Sequence, residues 1–204
     1  MIDPRLPPWA QNVSRETFLQ LDRYVALLLK WNPKINLIGP ATEADIWSRH
    51  ITDSLQLVSL IPSSVTRMAD FGSGGGLPGL VLAICRPEIQ IHLVEQDQRK
   101  AAFLREASAQ LTLKNIVIHA VDITTLHEKF ELITARALAS LEKLFALAYP
   151  LLSPGAFCLF PKGENCVNEI DNAMKSWSFN HQLFNSKTSE KSSIISVTEL
   201  YKRD

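Results

Sequence analysis

The stretch Asp70-Phe71-Gly72-Ser73-Gly74-Gly75-Gly76-Leu77-Pro78-Gly79 decides the fold of this chain. It follows a short strand-like run, Arg67–Ala69, and precedes a compact apolar segment, Leu80–Cys85. Glycine adopts positive φ angles readily and lets a ligand approach the backbone with no Cβ in the way. The free N–H groups at the start of the following helix would face the same ligand. Strand, glycine loop and helix predict the first turn of a nucleotide-binding α/β unit, the simpler alternative being a turn without a ligand.

Two cofactor classes fit this loop. Gly74–Gly79 matches the dinucleotide fingerprint G-x-G-x-x-G, whereas the stretch from Asp70 better matches D-x-G-x-G-x-G, the loop of S-adenosylmethionine-dependent methyltransferases. The Asp70 carboxylate would repel a pyrophosphate but suits the cationic amino-acid end of S-adenosylmethionine. Glu95 ends the next predicted strand, Ile91–Glu95, where an acid can accept hydrogen bonds from ribose hydroxyls in either class. Asp70 therefore favours S-adenosylmethionine, and Glu95 supports an adenosine-type ligand without deciding between the two.

Composition is that of an ordinary globular protein of 204 residues, 46% hydrophobic and 21% charged. The three cysteines form no C-x-x-C pair, so neither a disulfide framework nor a metal site is predicted. No apolar run approaches the ~20 residues of a membrane span, and the first residues do not resemble a signal peptide. We expect a cytoplasmic protein with no membrane partner. The 21 basic and 21 acidic residues give a net charge of zero, a mild argument against an RNA substrate.

Helical periodicity marks the N-terminal part of the chain. Apolar residues recur at spacings of three and four after Ser14, which predicts a helix that ends at Trp31, before Asn32-Pro33. A second helix is predicted from Thr42, with a capping box, to the residue before Pro62. We assign residues 1–64 to a helical extension packed on the core, and residues 65–204 to a Rossmann-like domain.

Strands and helices alternate after the extension, which predicts an α/β fold. The predicted parallel strands are Arg67–Phe71, Ile91–Glu95, Asn115–Val121, Phe130–Ala135 and Ala156–Phe160. Two further strand-like runs, Phe179–Asn185 and Ser193–Leu200, have no helix between them and predict an antiparallel hairpin. The result is the class I S-adenosylmethionine-dependent methyltransferase fold, with a mostly parallel seven-stranded sheet and one reversed edge strand.

Five motifs in order then resemble one family. They are Trp31-Asn32…Asn36-Leu37, Arg49-His50-x-x-Asp53-Ser54, Gly72–Gly79, Arg136-Ala137-x-Ala139-Ser140-Leu141 and Lys162-Gly163. Together they resemble the bacterial 16S ribosomal RNA guanine-N7 methyltransferases, also called glucose-inhibited division protein B. The resemblance implies that Gly72, Gly74 and Leu77 border the cofactor and that Glu95 holds its ribose. It also implies that Ile123 and Thr124 lie against the adenine, and that Arg136 lies beside the cofactor and the target base. Asp122 departs from the family pattern, where that position is often basic, which puts an RNA contact there in doubt.

The residues after the fourth strand are compatible with methylation at guanine N7, because motifs typical of other methylation chemistries are missing there. Guanine N7 carries an in-plane lone pair, so methyl transfer to it needs no general base and depends on alignment. An amino-directed enzyme would show Asn/Asp-Pro-Pro-Tyr/Phe where this chain has Thr134-Ala135-Arg136-Ala137, and no cysteine here has the proline neighbour common in pyrimidine carbon-5 methyltransferases. Arg136 cannot bond N7, whose lone pair must face the methyl group. It binds a cofactor group, O6 or a phosphate, or it is a structural arginine paired to a carboxylate.

Four other candidate residues have two interpretations each. His50 and Asp53 are predicted either as a catalytic acid–histidine pair facing the cleft or as part of a helix-surface network with Arg49 and Ser54. Asn36 contacts the base, or it is a turn former beside Pro33. Lys162 reaches a substrate phosphate, or it is a solvated charge at a strand end.

The function predicted from these features is methyl transfer from S-adenosylmethionine to one guanine N7 of 16S ribosomal RNA, by a monomer that needs no metal. The sequence leaves open whether the substrate is free RNA or the assembled small subunit. Three alternatives remain: a small-molecule methyltransferase of the same fold, a non-catalytic S-adenosylmethionine-binding or ribosome-assembly module, and an NAD(P) oxidoreductase. Methyl transfer to ribosomal RNA separates the first two from the predicted function, and a cofactor titration tests the third.

Overall fold

A computed structural model describes residues 3–11 and 13–203. Met1, Ile2 and Asn12 of the predicted extension 1–64, and Asp204 of the predicted domain 65–204, lie outside the described residues. The α-helices are α1 (Arg15–Ile35), α2 (Asp53–Leu55), α3 (Gly79–Cys85), α4 (Gln98–Gln110), α5 (Leu141–Ala148) and α6 (Cys166–Ala173). The strands are β1 (Arg67–Phe71), β2 (Gln90–Val94), β3 (Ile116–His119), β4 (Phe130–Ala135), β5 (Leu152–Lys162), β6 (Trp177–Asn185) and β7 (Ser193–Lys202). None of the helices in the described ranges is long and apolar enough to cross a membrane.

The seven strands form one sheet in the order β3-β2-β1-β4-β5-β7-β6. Strands β1 to β5 pair in parallel, and β7 runs antiparallel to both of its neighbours. This confirms the mostly parallel sheet with a C-terminal hairpin. The prediction that the reversed strand forms the edge is wrong, because β7 inserts between β5 and β6 and leaves β6 outside. The sequence pattern of a hairpin fixes the pairing of its two strands but not which of them meets the rest of the sheet.

Helix α1 begins as predicted and ends later. The Ser14 side chain caps it by accepting a hydrogen bond from the backbone N–H of Thr17. The helix continues through Pro33 to Ile35, and Asn36 ends it in the left-handed conformation at φ 50°. The predicted end at Trp31 is therefore wrong. A proline in the last turn removes only one helical hydrogen bond, which the packed α1 tolerates.

The second predicted helix is not continuous. The chain instead forms short 3-10 turns at Pro40–Thr42 and Val58–Leu60, a π-helical turn at Trp47–Thr52, and the single turn α2. Thr42 does not form the predicted capping box, since its hydroxyl donates to the Gly39 carbonyl. The π-helical turn, a rare geometry found often at functional sites, contains Arg49 and His50.

The sheet is covered on both faces. One apolar layer contains α1, α3 and α4, with Leu21, Tyr24, Leu28 and Phe103 fully buried, and the other contains α5 and α6 with Phe145 and Phe160. Between β3 and β4 the chain forms only the 3-10 turn Ile123–Thr125. The carboxyl ends of β1, β2 and β4 therefore border an open cleft, where ligands bind in sheets of this type.

Candidate functional site

The glycine loop folds tightly between β1 and α3. Gly72, Gly74 and Gly76 all have positive φ angles, of 62°, 54° and 88°, a conformation that glycine adopts without strain. Gly79 is required for a different reason. A Cβ there would lie 2.3 Å from Leu93 Cδ2 and 2.6 Å from Asp70 Oδ2, so the start of α3 packs directly on the sheet.

Asp70 lies buried beneath this loop. Its Oδ2 accepts a hydrogen bond from the backbone N–H of Gly79 at 3.2 Å, while its Oδ1 has no partner among the described residues. Burial raises the pKa of Asp70 to about 7, and the Ser73 and Gly79 hydrogen bonds oppose that rise. Asp70 thus fixes the start of α3 to the loop, and its Oδ1 is a buried acceptor without a partner in the described structure.

Tyr24 of α1 supports the loop from below, and sequence reasoning missed it. Its fully buried hydroxyl donates a hydrogen bond to the Gly75 carbonyl at 2.6 Å. The spacing of apolar residues in α1 places Tyr24 on the buried face, but no sequence signal pairs it with a residue so far along the chain. The N-terminal segment therefore fixes the geometry of the glycine loop directly.

The cleft beside the loop holds about 450 Å3. Six of the seven residues predicted to hold a cofactor line it: Gly72, Gly74, Glu95, Ile123, Thr124 and Arg136. The seventh, Leu77, is 5% exposed and does not line the cleft. The Glu95 carboxylate is held by two backbone donors, with Gly74 N at 2.8 Å from Oε2 and Asp97 N at 2.9 Å from Oε1. The remaining lone pairs of this fixed carboxylate suit the hydroxyls of a ribose.

Asp122 also lines the cleft and caps the short turn that follows β3. Its Oδ1 accepts hydrogen bonds from the backbone N–H and the hydroxyl of Thr124, at 2.8 and 2.6 Å. These bonds lower the pKa of Asp122. Asp122 therefore shapes the cleft wall that contains Ile123 and Thr124.

Arg136 follows β4 and connects the cleft to the N-terminal segment. Its Nη1 lies 3.3 Å from Asp53 Oδ2 and donates to the Arg49 carbonyl, also at 3.3 Å. Its Nη2 donates to His50 Nδ1 at 3.0 Å. The three residues predicted as catalytic, Arg136, His50 and Asp53, are thus in direct contact.

His50 is held as a neutral ring. Burial lowers its pKa to about 4, and the adjacent Arg136 guanidinium lowers it further while Asp53 opposes the shift. Because Nδ1 accepts from Arg136, the proton is on Nε2, which donates to Thr42 Oγ1 at 2.8 Å. Thr42 in turn donates to the Gly39 carbonyl at 2.7 Å. This directed chain of hydrogen bonds holds Arg136 and leaves His50 no lone pair for a substrate proton.

Asp53 is held by the C-terminal hairpin as well, through contacts that sequence reasoning missed. Its Oδ1 accepts from Thr188 Oγ1 at 2.7 Å and from Gln56 Nε2 at 2.8 Å. Gln56 is buried and accepts from the backbone N–H of Lys187 at 2.8 Å. The linker between β6 and β7 therefore fixes the carboxylate that holds Arg136.

The two predicted substrate-binding residues other than Arg136 lie apart. Lys162 lines a second cavity of about 240 Å3, which also includes Arg136 and Asp53. Its ammonium forms an ion pair with Glu169 at 2.6 Å and donates to the Ala139 carbonyl. Asn36 is exposed at the end of α1 and forms no side-chain hydrogen bond within the described part of the chain.

Comparisons with known proteins identify the family. The GidB family model, described as rRNA small subunit methyltransferase G, matches residues 18–195. The chain belongs to this family. A member from Acidiphilium cryptum, named Ribosomal RNA small subunit methyltransferase G, is 48% identical over 92% of this chain and 88% of its own length. A member of the same name from Methylorubrum extorquens is 45% identical over 95% of this chain and 93% of its own length.

Solved structures confirm the methyltransferase fold outside the GidB family. The ribosomal protein L11 methylase of Lactobacillus delbrueckii subsp. bulgaricus superposes with a TM-score of 0.60 at 13% identity, over 74% of this chain and 78% of that one. The TYW2 protein of M. jannaschii, solved in complex with AdoMet, gives a TM-score of 0.55 at 12% identity over 76% of each chain. The predicted class I methyltransferase fold, membership of the GidB family and enzyme class are thus confirmed.

Proposed function

We propose that this protein transfers a methyl group from S-adenosylmethionine to N7 of one guanine in 16S ribosomal RNA, within the small ribosomal subunit. The observation that carries the proposal is the convergence of the glycine loop, Glu95, the Ile123–Thr124 wall and Arg136 on one cleft, in a chain of the GidB family. The proposed reaction belongs with ribosomes in the cytoplasm, and we propose that a monomer carries it out.

The cleft residues fit S-adenosylmethionine. Glu95 offers a fixed carboxylate for the ribose hydroxyls, and the half-buried Ile123 with the backbone of Thr124 offers a flat wall for adenine. Asp70 keeps an unpartnered carboxylate oxygen under the loop, which suits the cationic amino-acid end. When bound, the cofactor supplies an electrophilic methyl group on a sulfonium. We assign cofactor binding to Gly72, Gly74, Glu95, Ile123, Thr124 and Arg136, with Leu77 supporting the loop from within.

Alignment is the main task of the protein in this reaction. Guanine N7 is already a nucleophile, so no side chain needs to remove a proton before transfer. His50 agrees with this, because it is neutral and its Nδ1 is occupied by Arg136. We propose that His50 and Asp53 act by fixing the Arg136 guanidinium beside the cleft, where it can bind guanine O6, a phosphate or a cofactor carboxylate.

Substrate contacts are proposed at Arg136, Lys162 and Asn36. Arg136 and Lys162 border the same second cavity, so a base or phosphate held there would be next to the cofactor cleft. Lys162 would reach it only after releasing Glu169. Asn36 is exposed and free to donate to RNA from the end of α1.

The test is transfer of radiolabelled methyl from S-adenosylmethionine to ribosomal RNA that lacks the modification, followed by mapping of the labelled base. Free 16S RNA and assembled small subunits are assayed side by side, with modified RNA as the matched control. We expect label at a single guanine N7 and none on modified RNA. Cofactor binding without label on either substrate would overturn the RNA function and favour a small-molecule substrate.

A further inference from the structure

Three potential metal ligands converge on the sheet face opposite α1, away from the catalytic network. They are His92 in β2, His119 at the end of β3, and Glu128 in the segment that leads to β4. His92 Nδ1 lies 2.8 Å from His119 Nε2 and 3.6 Å from Glu128 Oε2. His119 Nε2 lies 3.9 Å from Glu128 Oε1. One possible ligand atom from each of the three residues lies within 4.8 Å of the other two.

The register of the sheet explains this convergence. Val94 of β2 pairs with His119 of β3, and His92 precedes Val94 by two residues, so both imidazoles point to the same face. The two rings are nearly parallel, with an interplanar angle of 16° and a centroid distance of 5.0 Å, and their nitrogens face each other edge to edge. Only a loop covers this part of the sheet, because no α-helix connects β3 to β4. That loop brings in Glu128.

We propose that His92, His119 and Glu128 form a binding site for a divalent transition-metal ion, best suited to zinc. Zinc binds imidazole nitrogen and carboxylate oxygen at about 2.0 to 2.2 Å in tetrahedral geometry, which sets the two nitrogens ~3.3 Å apart. The present 2.8 Å is that of two rings sharing one proton. A metal ion replaces this proton after the rings separate by ~0.5 Å, and water takes the fourth position.

The surrounding hydrogen bonds decide where the His92 ring carries its proton. Arg67 Nε donates to His92 Nε2 at 3.2 Å, so His92 carries its proton on Nδ1 and donates it to His119 Nε2 at 2.8 Å. A metal ion that binds Nδ1 displaces this proton, and His92 then needs its proton on Nε2, where Gln90 Oε1 at 3.1 Å can accept it once Arg67 has turned away.

Arg67 competes with the metal for Glu128. Its guanidinium forms an ion pair with that carboxylate and lies over the Phe130 ring at 5.3 Å. The Arg67 side chain is 37% exposed and can turn toward water when a metal takes Glu128. Arg67 therefore lowers metal affinity without blocking the site.

A metal here would restrain the segment that forms one wall of the cofactor cleft. His119 and Glu128 flank residues 120–127, the segment that includes the cleft residues Val121, Asp122, Ile123 and Thr124. The His119 carbonyl accepts a hydrogen bond from the backbone N–H of Glu95 at 3.0 Å. Closing this loop with a metal reduces its freedom, which favours cofactor binding. This consequence rests on the proposed function, whereas the metal site itself does not.

The sequence predicts no metal because the argument there uses cysteine spacing. Histidines on two separate strands give no short spacing to recognise. The proposed site departs from that expectation. Its metal ion would have a structural role and no catalytic role in the proposed reaction.

The first experiment titrates the full chain, stripped with a chelator, with Co2+ and follows visible absorption, then measures Zn2+ affinity by competition with a chromophoric chelator. We expect one equivalent to bind with the spectrum of low-coordinate cobalt. His119→Ala and Glu128→Gln should each weaken binding at least ~10-fold. His181→Ala is the matched control, since His181 is exposed on β6. No saturable binding, or equal affinity in His119→Ala and the wild type, would overturn the site.

Two further measurements sharpen the test. Arg67→Gln should bind zinc more tightly, because the competitor for Glu128 is gone, and weaker binding would contradict the assigned competition. Zinc should raise the affinity for S-adenosylmethionine in the wild type and not in Glu128→Gln. Equal affinity for S-adenosylmethionine with and without zinc would overturn the proposed effect of the metal on cofactor binding. Neither measurement uses RNA, so their failure is distinguishable from failure of the proposed methyl transfer.

Discussion

The Arg136 guanidinium donates to Nδ1 of His50 at 3.0 Å, which decides the protonation of the ring. An arginine has no proton acceptor to offer, so His50 must accept and hold its own proton on Nε2. The histidine therefore orients the arginine and contributes no acid or base. Asp53 forms an ion pair with Nη1, the other terminal nitrogen of the Arg136 guanidinium. His50 and Asp53 together therefore fix the plane of that guanidinium.

Removal of Arg136 should abolish methyl transfer and leave the fold intact. We expect Arg136→Ala to lower kcat/KM at least ~100-fold, because substrate and cofactor lose alignment. Arg136→Lys should also fail, since a single ammonium cannot serve His50 and Asp53 as a planar guanidinium does. Transfer to ribosomal RNA measures the effect, circular dichroism checks the fold, and the exposed Arg105→Ala serves as control. Wild-type activity in Arg136→Ala would remove Arg136 from the site.

The His50 ring should make stability depend on pH. Its pKa is about 4 in the folded protein against an ordinary 6.5, so the unfolded chain binds more protons between these values. The free energy of unfolding therefore falls as pH drops from 6.5 toward 4. His92 acts in the same direction, and Asp70, with its pKa raised to about 7, acts in the opposite one.

Comparison with His50→Asn isolates this contribution, because asparagine keeps an acceptor for Arg136 and cannot be protonated. Urea unfolding at a series of pH values should give a shallower loss of stability in His50→Asn between pH 6.5 and 4. Parallel curves for the two proteins would contradict the low pKa.

Glu95→Gln should weaken cofactor binding. In Glu95 each carboxylate oxygen accepts from one backbone N–H, that of Gly74 or that of Asp97. A glutamine amide has only one oxygen, so its NH2 group would face one of these two N–H donors and could not bond to it. Loss of a hydrogen bond to a charged group costs ~1.5 to 3 kcal/mol, or about 10- to 100-fold in affinity. Calorimetric titration with S-adenosylmethionine measures this, and Glu106→Gln on the exposed face of α4 is the control. An unchanged affinity would exclude Glu95 from the cofactor site.

Tyr24→Phe should loosen the glycine loop. The variant keeps the buried ring and leaves the Gly75 carbonyl without its donor, which costs ~1 to 3 kcal/mol in the free energy of unfolding. S-adenosylmethionine affinity should fall with it, since Gly74 and Glu95 are adjacent. Urea unfolding and cofactor titration report the two effects, against Tyr201→Phe, whose side chain is exposed. If only stability changes, the loop keeps its geometry without Tyr24.

Gly79→Ala should destabilise the fold. The new Cβ would meet Leu93 Cδ2 at 2.3 Å and Asp70 Oδ2 at 2.6 Å, so α3 must shift from the sheet. Overpacking of this kind costs ~1 to 3 kcal/mol. Gly163→Ala is the matched control, because a Cβ there meets nothing within 4 Å. Thermal unfolding compares the two, and equal Tm values would contradict the close packing at Gly79.

Local patterns predicted local structure well. The strand Phe130–Ala135 has the predicted bounds, and the glycine loop lies where the sequence indicated. Both are encoded by residues adjacent in the chain. The π-helical turn at Trp47–Thr52 was missed because its apolar residues keep a helical spacing.

Long-range pairings were the part that the sequence could not supply. The contacts of Tyr24 with Gly75 and of Thr188 with Asp53 join distant segments, and each depends on the finished packing. The cleft residues were predicted because a family resemblance gave their positions. The meeting of His92 and His119 follows from strand register, which no single-strand pattern contains.

The position of β7 has a consequence for the order of assembly during translation. β6 leaves the ribosome before β7, yet its only described partner in the sheet is β7. β6 and the edge of β5 that faces away from β4 therefore lack their native strand partner until residues 193–202 have emerged, which exposes them to wrong pairing. The linker between β6 and β7 that holds Asp53 closes at the same moment, so the contacts that fix Asp53 against Arg136 are completed only after residues 193–202 have been synthesised.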